Sequence, residues 1–564
     1  MMLVPVTSTL VLAWVLVALA VVAAWRLGDR LPSAGLAVLT DCLLHPLAPL
    51  GAGLLSGLAV WWVSGGTLHP VPLYHDERAY LLQAELFAQG RWMGAAAPIP
   101  EFFTQLHVIV NPALYAKYPP GQALWIAPWA ALGAPGLSMV ASAAISGAVL
   151  FALARRWAGP WAAALTLLCW MPAGPVLMIR ASYMSQVATV PLWLLTWYAV
   201  ERHATDRRTR WLVVACMATG LTAVVRPLTA VALAIPCAVI LIRRVWADRT
   251  WRGAALAVTS GAVVVAILPW QNLAITGDIR TSPLVQYTRT VTPFDFPTFG
   301  FDRSQPMADL PTDLARARES LIIPREVHKL ENLPWLLPWR LSSLLQAAWY
   351  GWRLPLLALG LVGLVLIGRD ASPARLSAAC ATLLFALHAM HAHSPVWTVF
   401  YHETIPVLAF ATSLGFIAVG RRLRSGDWST SHVVAGDAAR ALPSWPGTGA
   451  LAVAVGSLLC VLPFDALTAR DDLDAIKRPQ REFLAAVAAI PDAKVIVFVK
   501  YPASWSGHKS LVGNPPDYAT ARAWLVYDRG ADNVRLAALA AERVVWHYDA
   551  GLGTMARGLP GEAP

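Results

Sequence analysis

Apolar residues fall in long runs, separated by short polar connections. About twelve runs are near the length that the hydrocarbon core of a bilayer demands: 4–25, 46–64, 136–154, 161–179, 186–200, 211–225, 228–242, 253–270, 352–368, 376–391, 403–420 and 447–464. Each predicts a membrane-spanning helix. The run 120–133 is shorter and carries Pro128 inside it, which predicts an interfacial or re-entrant helix. The stretch 32–45 reads either way, and if it spans, the N-terminus changes sides. The tail has a different pattern. Lys494–Tyr501 reads as a buried strand, with two more expected at Trp524–Tyr527 and Val544–Tyr548 and helical periodicity over 476–490 and 532–542. Strands alternating with helices predict a small α/β domain. The expected division is a membrane domain over 1–465 and this α/β domain over 466–564. The stretch 425–445 is polar and reads as a loop.

Composition agrees with the pattern. The chain has 564 residues, 57% apolar and 14% charged, with a mean hydropathy of +0.53. Soluble domains run at about 45–50% apolar and about 25% charged, so a water-soluble enzyme, a disordered chain and a collagenous one are excluded. Many of the 26 Trp sit at run ends, among them Trp61, Trp62, Trp157, Trp211, Trp251 and Trp270, where an indole prefers the headgroup level. The net charge of +11 does not point to nucleic acid, because Arg crowds short connections at 26–30, 202–210, 243–252, 369–375 and 421–424. That asymmetry marks cytoplasmic loops. The opposite side then receives 65–135, 271–351, 392–402 and the tail. The expected location is the cytoplasmic membrane, crossed many times, with the tail and the two large loops outside. The six Cys lie in or beside apolar runs without a CxxC and read as small buried hydrophobes. The N-terminus has no positive region ahead of its apolar run, which therefore reads as a retained helix.

Candidate chemistry concentrates in the first large outer loop. It carries Tyr74-His75-Asp76-Glu77-Arg78-Ala79-Tyr80 at the start of an expected helix from Asp76 to Gly90, then Tyr115-Ala116-Lys117-Tyr118-Pro119-Pro120-Gly121. Asp76 and Glu77 suit a helix N-terminus for purely structural reasons, and the Pro-Pro pair suits a loop-to-helix junction. They equally supply outer-face carboxylates able to act as a general base.

The pattern Asp-Glu-x-x-Tyr-x-x-x-Ala followed by Gly-x-Trp (Asp76, Glu77, Tyr80, Ala84, Gly90, Trp92), then Lys117 beside a Tyr-Pro-Pro and a many-span bundle, resembles the C-type superfamily of integral-membrane glycosyltransferases. Within it the chain is most similar to the protein O-mannosyltransferase and lipid A aminoarabinose transferase group, over about residues 65–270. The resemblance implies an α-helical polytopic membrane bundle and a sugar donor carried on a polyprenyl phosphate. It also implies a catalytic acid in the first outer loop. Chemically this is coherent. No nucleotide sugar is available outside the cytoplasm, and a phosphate is already a good leaving group. One base for the acceptor hydroxyl then suffices, without the second carboxyl of a glycosidase. Asp76 is the expected base, with Glu77 and His75 orienting it or holding a metal; a divalent metal is allowed by these residues and not required by them. Lys117 matches the family lysine, displaced one residue from the Pro-Pro pair by Tyr118. Tyr80 and Tyr118 are expected to contact substrate. Arg226 and Arg180, at outer turns, are candidates for the donor phosphate, since near-membrane Arg usually has an anionic partner. His388, His391, His393, Tyr401, His402 and Glu403 form a second polar cluster. It lacks a zinc motif such as His-Glu-x-x-His and is expected to line a lipid-sugar site, with His402 and Glu403 the substrate-facing pair. The chain departs from the family in two ways. The Asp-Glu pair follows the second apolar run, implying an extra N-terminal helix, and the turn Arg180–Gln186 has no carboxylate, which weakens a two-loop metal site.

The competing reading is a transporter or flippase, which would place ionisable groups near the bilayer midplane. Here nearly all of them lie at run ends. Membrane lipid and a polyprenyl-phosphate sugar are the expected partners, and nucleic acid is not. The sugar, the acceptor and the oligomeric state have no sequence signature.

Overall fold

The computed structural model describes residues 33–172, 174–293, 309–349, 356–369, 372–425, 448–505 and 510–559, with isolated positions besides. The expected span 4–25 and the polar stretch 426–445 lie outside these, apart from Val15.

The apolar runs fold as helices: α1 (Ala48–Val63), α2 (His75–Ala88), α3 (Gly121–Ala131), α4 (Leu137–Ala158), α5 (Pro160–Trp170), α6 (Gly174–Arg180), α7 (Gln186–Asp206), α8 (Thr209–Val225), α9 (Pro227–Asp248), α10 (Trp251–Val265), α11 (Ile267–Thr276), α12 (Leu333–Ala348), α13 (Leu356–Arg369), α14 (Ser372–His388), α15 (Ile405–Ser425) and α16 (Thr448–Ala488). Among the described residues three are long and apolar enough to cross a membrane: Leu137–Ala158, Pro227–Asp248 and the pair α10–α11 over Trp251–Thr276. The number rises to five if two bent pairs each count as one crossing, the residues before α1 meeting α1 at 87° and α5 meeting α6 at 80°. Thr209–Val225, Leu356–Gly368 and Ala374–His388 are apolar but shorter. Bends and short helices thus stand where the hydropathy pattern alone suggests uniform spans.

Close helix approach depends on residues without side chains. At Gly363 of α13 and Gly415 of α15, an added Cβ would meet the Ala411 and Leu359 carbonyls of the facing helix. With no hydrophobic effect between helices in lipid, this small-residue contact is what lets them pack. Trp157, Trp170, Trp193 and Trp197 fill the bundle core beside them.

The tail forms a four-stranded sheet, in the order Ala523–Tyr527 (β4), Val495–Lys500 (β3), Val544–Asp549 (β5), Thr554–Arg557 (β6). The first two pairings are parallel and the last antiparallel. Residues 495–499 of β3 are all buried, as the unbroken apolar run predicts for a central parallel strand. The tail is not a separate bead. Helix α16 runs unbroken through residue 465, where the sequence suggests a division, and it carries Pro463 and Pro479 inside it. Its 41 residues extend roughly 60 Å at 1.5 Å per residue. The sheet also shares one core with the loop 65–135. Phe102, Phe103, Val108 and Leu114 pack on Phe498, Tyr518, Trp524 and Val526. Arg78, in α2, donates to the carbonyls of Ser510 and Val512.

Candidate active site

Helix α2 begins at His75, with Tyr74 extended before it as the N-cap. Asp76 and Glu77 therefore lie in the first turn, where the helix dipole favours negative charge. The two neighbours then diverge. Glu77 has no exposed surface. Its Oε1 accepts from the backbone N–H groups of Leu73 at 3.0 Å and Tyr74 at 3.2 Å, and its Oε2 accepts from Tyr183 N–H at 2.9 Å. Glu77 thus ties the loop to the turn after α6. Burial pushes its pKa up, against the charge of Lys477 and the backbone donors, and burial prevails. Lys477, on α16, is itself buried.

Asp76 points elsewhere. Its side chain keeps 34% exposure. Oδ1 accepts from the Tyr118 hydroxyl at 2.5 Å, and Oδ2 lies 3.7 Å from His107 Nε2. Burial pushes the Asp76 pKa up, but the His107 charge, the Tyr118 hydrogen bond and the Lys117 charge outweigh it, so the net shift is downward. The carboxylate is ionised and partly open. Tyr118 is held neutral, its pKa raised by burial and by Asp76, so it donates.

The hairpin Val108–Ile109 (β1) and Tyr115–Ala116 (β2) brings this second half of the loop over α2. It delivers Lys117, buried, with its ammonium 5.3 Å from the Tyr118 ring centre and 4.9 Å from that of Tyr287. Tyr80, one turn after Asp76, stacks on Tyr118 with ring centres 4.6 Å apart. Helix α3 then starts at Gly121, immediately after the Pro-Pro pair.

Arg226, Glu403, His402 and Arg180 form a second group. Arg226 breaks α8 from α9 in extended conformation. Its Nη1 lies 3.1 Å from Glu403 Oε1, which Thr189 also contacts, and Glu403 is 0% exposed. Arg226 thus carries a built-in counter-charge. The charges of Arg180 and Arg226 both reach buried His402. Arg180 stacks on Trp170 at 4.0 Å and donates to the Trp170 and Met171 carbonyls, closing the bend between α5 and α6. Tyr80 joins the two groups, since the charges of Asp76 and Arg226 both act on it. His75 is buried at the first position of α2. Among the described residues no three His, Cys, Asp or Glu side chains converge as a metal ion would need.

Two members of the site carry no sequence signal in the first loop motif. His107 has φ +66°, rare for a residue with a side chain, and such outliers cluster at functional sites. Tyr287 comes from the segment 271–351; its hydroxyl accepts from the His107 backbone N–H at 2.9 Å.

A helical bundle with an acid-bearing loop over it and a small mixed sheet packed on that loop frames the site. Residues 130–271 match the family described as dolichyl-phosphate-mannose-protein mannosyltransferase. The expected resemblance to polyprenyl-phosphate-dependent membrane glycosyltransferases therefore stands, and the chain is similar to multi-pass membrane proteins of that kind. A similar solved structure is ArnT from Cupriavidus metallidurans in the apo state, at TM-score 0.50 and 15% identity, covering 91% of this chain and 89% of that one. The same protein bound to undecaprenyl phosphate gives TM-score 0.49 and 16% identity, over 92% and 91%. Arabinosyltransferase EmbB from Mycobacterium smegmatis gives TM-score 0.41 and 14% identity, over 86% of this chain and 46% of that one. No curated protein matches.

Proposed function

We propose that the chain transfers a sugar from a polyprenyl-phosphate carrier to an acceptor hydroxyl on the outer face of the cytoplasmic membrane. The observation that carries this reading is the ionised, partly open carboxylate of Asp76, gathered with Tyr118, His107 and Lys117 in the loop over the bundle. The matched family description supplies the donor class, a lipid phosphate sugar.

Asp76 takes the proton of the acceptor hydroxyl as that oxygen attacks the anomeric carbon. The bond to the donor phosphate breaks on the opposite face, and the configuration inverts. Tyr118 holds one carboxylate oxygen and leaves the other to act. Lys117 neutralises the leaving phosphate. Arg226, His402 and Arg180 form the membrane-side wall, with Glu403 fixing Arg226. Glu77 acts by position: its oxygens are occupied by backbone donors, so it holds the loop that aims Asp76. The membrane part over 1–465, with outer loops 65–135 and 271–351, carries this chemistry, and the tail over 466–564 braces the first loop from outside.

Incubating membranes that contain the chain with labelled polyprenyl-phosphate hexoses and pentoses, then extracting labelled product, tests the reaction. Label that stays on the lipid with every donor refutes transfer. Cysteines placed at Arg91 and Lys500, both exposed, should react with an impermeant reagent in intact spheroplasts; reaction only after permeabilisation refutes the orientation.

A further inference from the structure

Arg340 lies in the middle of α12 with no exposed surface. A buried guanidinium is costly without a counter-charge, yet no carboxylate among the described residues pairs with it. Its Nη2 donates to the carbonyls of His393 at 3.0 Å and His391 at 3.3 Å and reaches His328 Nδ1 at 3.4 Å. Among the described residues, Nε and Nη1 have no hydrogen-bond partner of good geometry. Ser343, one turn along the same face, is 3% exposed and its hydroxyl is also unpartnered. His388, at the end of α14, is 4% exposed, and neither ring nitrogen has a partner among the described residues. Its ring centre is 5.8 Å from that of Tyr401, whose hydroxyl lies 2.8 Å from His393 Nε2 and beside the Arg340 guanidinium. The charges of Arg226 and Arg340 both act on His388, which places it within reach of the two cations.

Arg226 meets a built-in acid in Glu403; among the described residues Arg340 meets only neutral donors and acceptors. A guanidinium, a hydroxyl and an imidazole suit the several oxygens of a phosphate, and a guanidinium recognises phosphate especially well. We propose that Arg340, Ser343 and His388 form a second phosphate-binding site, separate from the one at Lys117. It takes a phosphate group either free or carried on a lipid. Sugar transfer with Asp76 as base does not require this site, so it goes beyond that reading.

The test is calorimetric titration of the full chain in nanodiscs of neutral lipid, with a short-chain polyprenyl monophosphate and with inorganic phosphate. The wild type should bind two equivalents of the lipid probe. Arg340→Gln should bind one, and Lys117→Gln should lose the other. His388→Leu removes two unpartnered buried nitrogens, so it should fold normally and bind the second equivalent at least about tenfold more weakly. An equivalent of inorganic phosphate lost in Arg340→Gln identifies free phosphate as sufficient; uptake of the lipid probe alone identifies a headgroup. Two undiminished equivalents in folded Arg340→Gln would overturn the proposal. So would a single wild-type equivalent that survives that change. If Arg340→Gln does not fold, unchanged affinities in His388→Leu overturn it. A chain with two phosphate equivalents but no sugar transfer would refute the transferase reading and leave this site standing.

Discussion

Asp76 and Glu403 are both carboxylates set among cations and hydroxyls, yet their surroundings are opposite, one partly open and one closed. Glu403 is 0% exposed, and its Oε1 is shared by Arg226 and Thr189. Asp76 keeps 34% of its side chain open, with a single hydroxyl on one oxygen and an imidazole 3.7 Å from the other. Glu77, adjacent to Asp76 in sequence, falls with Glu403: both are closed to solvent and held by neighbours, Glu77 on both oxygens and Glu403 on Oε1. A carboxylate that holds structure gives its oxygens to partners that never leave. One that takes a proton must be ionised and reachable. Sequence position does not distinguish the two, since Asp76 and Glu77 share one helical turn. Side-chain direction does.

The largest expected effect breaks the open member of the comparison. Asp76→Asn should slow transfer by roughly 10²–10⁴-fold while the protein melts normally, measured by labelled product and by thermal denaturation of the same preparation. Next comes the closed member. Glu403→Gln strips the counter-charge from Arg226, and breaking a buried pair costs about 3–5 kcal/mol, read as a lower melting point. Arg226→Met with Glu403→Gln should recover much of that loss, whereas a double variant as unstable as the single would deny that the pair is the cause. Smaller again, Lys117→Gln removes one charge-assisted bond and should weaken donor binding by about 1.5–3 kcal/mol, seen as a higher donor Kd with the melting point little changed. The smallest effect concerns Glu85, whose pKa burial pushes up to about 7. A raised carboxyl pKa stabilises the fold at low pH, and that contribution is lost as pH rises from the ordinary range of 4.5 toward 7. Glu85→Gln should therefore stabilise the protein at pH 8 relative to pH 5, on the order of 1–2 kcal/mol, in melts at both pH values. Asp76 has the opposite sign: its lowered pKa keeps it ionised down through the ordinary aspartate range, so the melting of Asp76→Asn relative to the wild type should be the same at pH 8 and pH 5.

Much of the helical order was legible because apolar runs of membrane length have few alternative fates. The tail strands were legible for a related reason, since an unbroken run such as Val495–Val499 needs burial on both faces. The first loop motif located Asp76, Lys117 and Tyr118 because local spacing and a helix start position them. His107 was not legible, because its role depends on a hairpin and a left-handed backbone that no pattern announces. Lys477 and Arg340 were missed for a different reason. Each matters through a partner on a distant element, Glu77 and the His391–His393 carbonyls respectively, and one chain's pattern does not encode such pairing. The brace between loop and tail, Arg78 on the Ser510 and Val512 carbonyls, joins residues more than 430 positions apart.

The division of labour between neighbouring acids is tested most directly by measuring transfer and melting side by side for Asp76→Asn and Glu77→Gln, in one membrane preparation with one labelled polyprenyl-phosphate sugar. The account predicts that Asp76→Asn melts as the wild type and loses transfer by at least about a hundredfold. Glu77→Gln should melt lower and retain transfer in its folded fraction to within about tenfold, a modest loss expected when only aim is disturbed. Near-normal transfer by Asp76→Asn, or a normally melting Glu77→Gln without transfer, would contradict it.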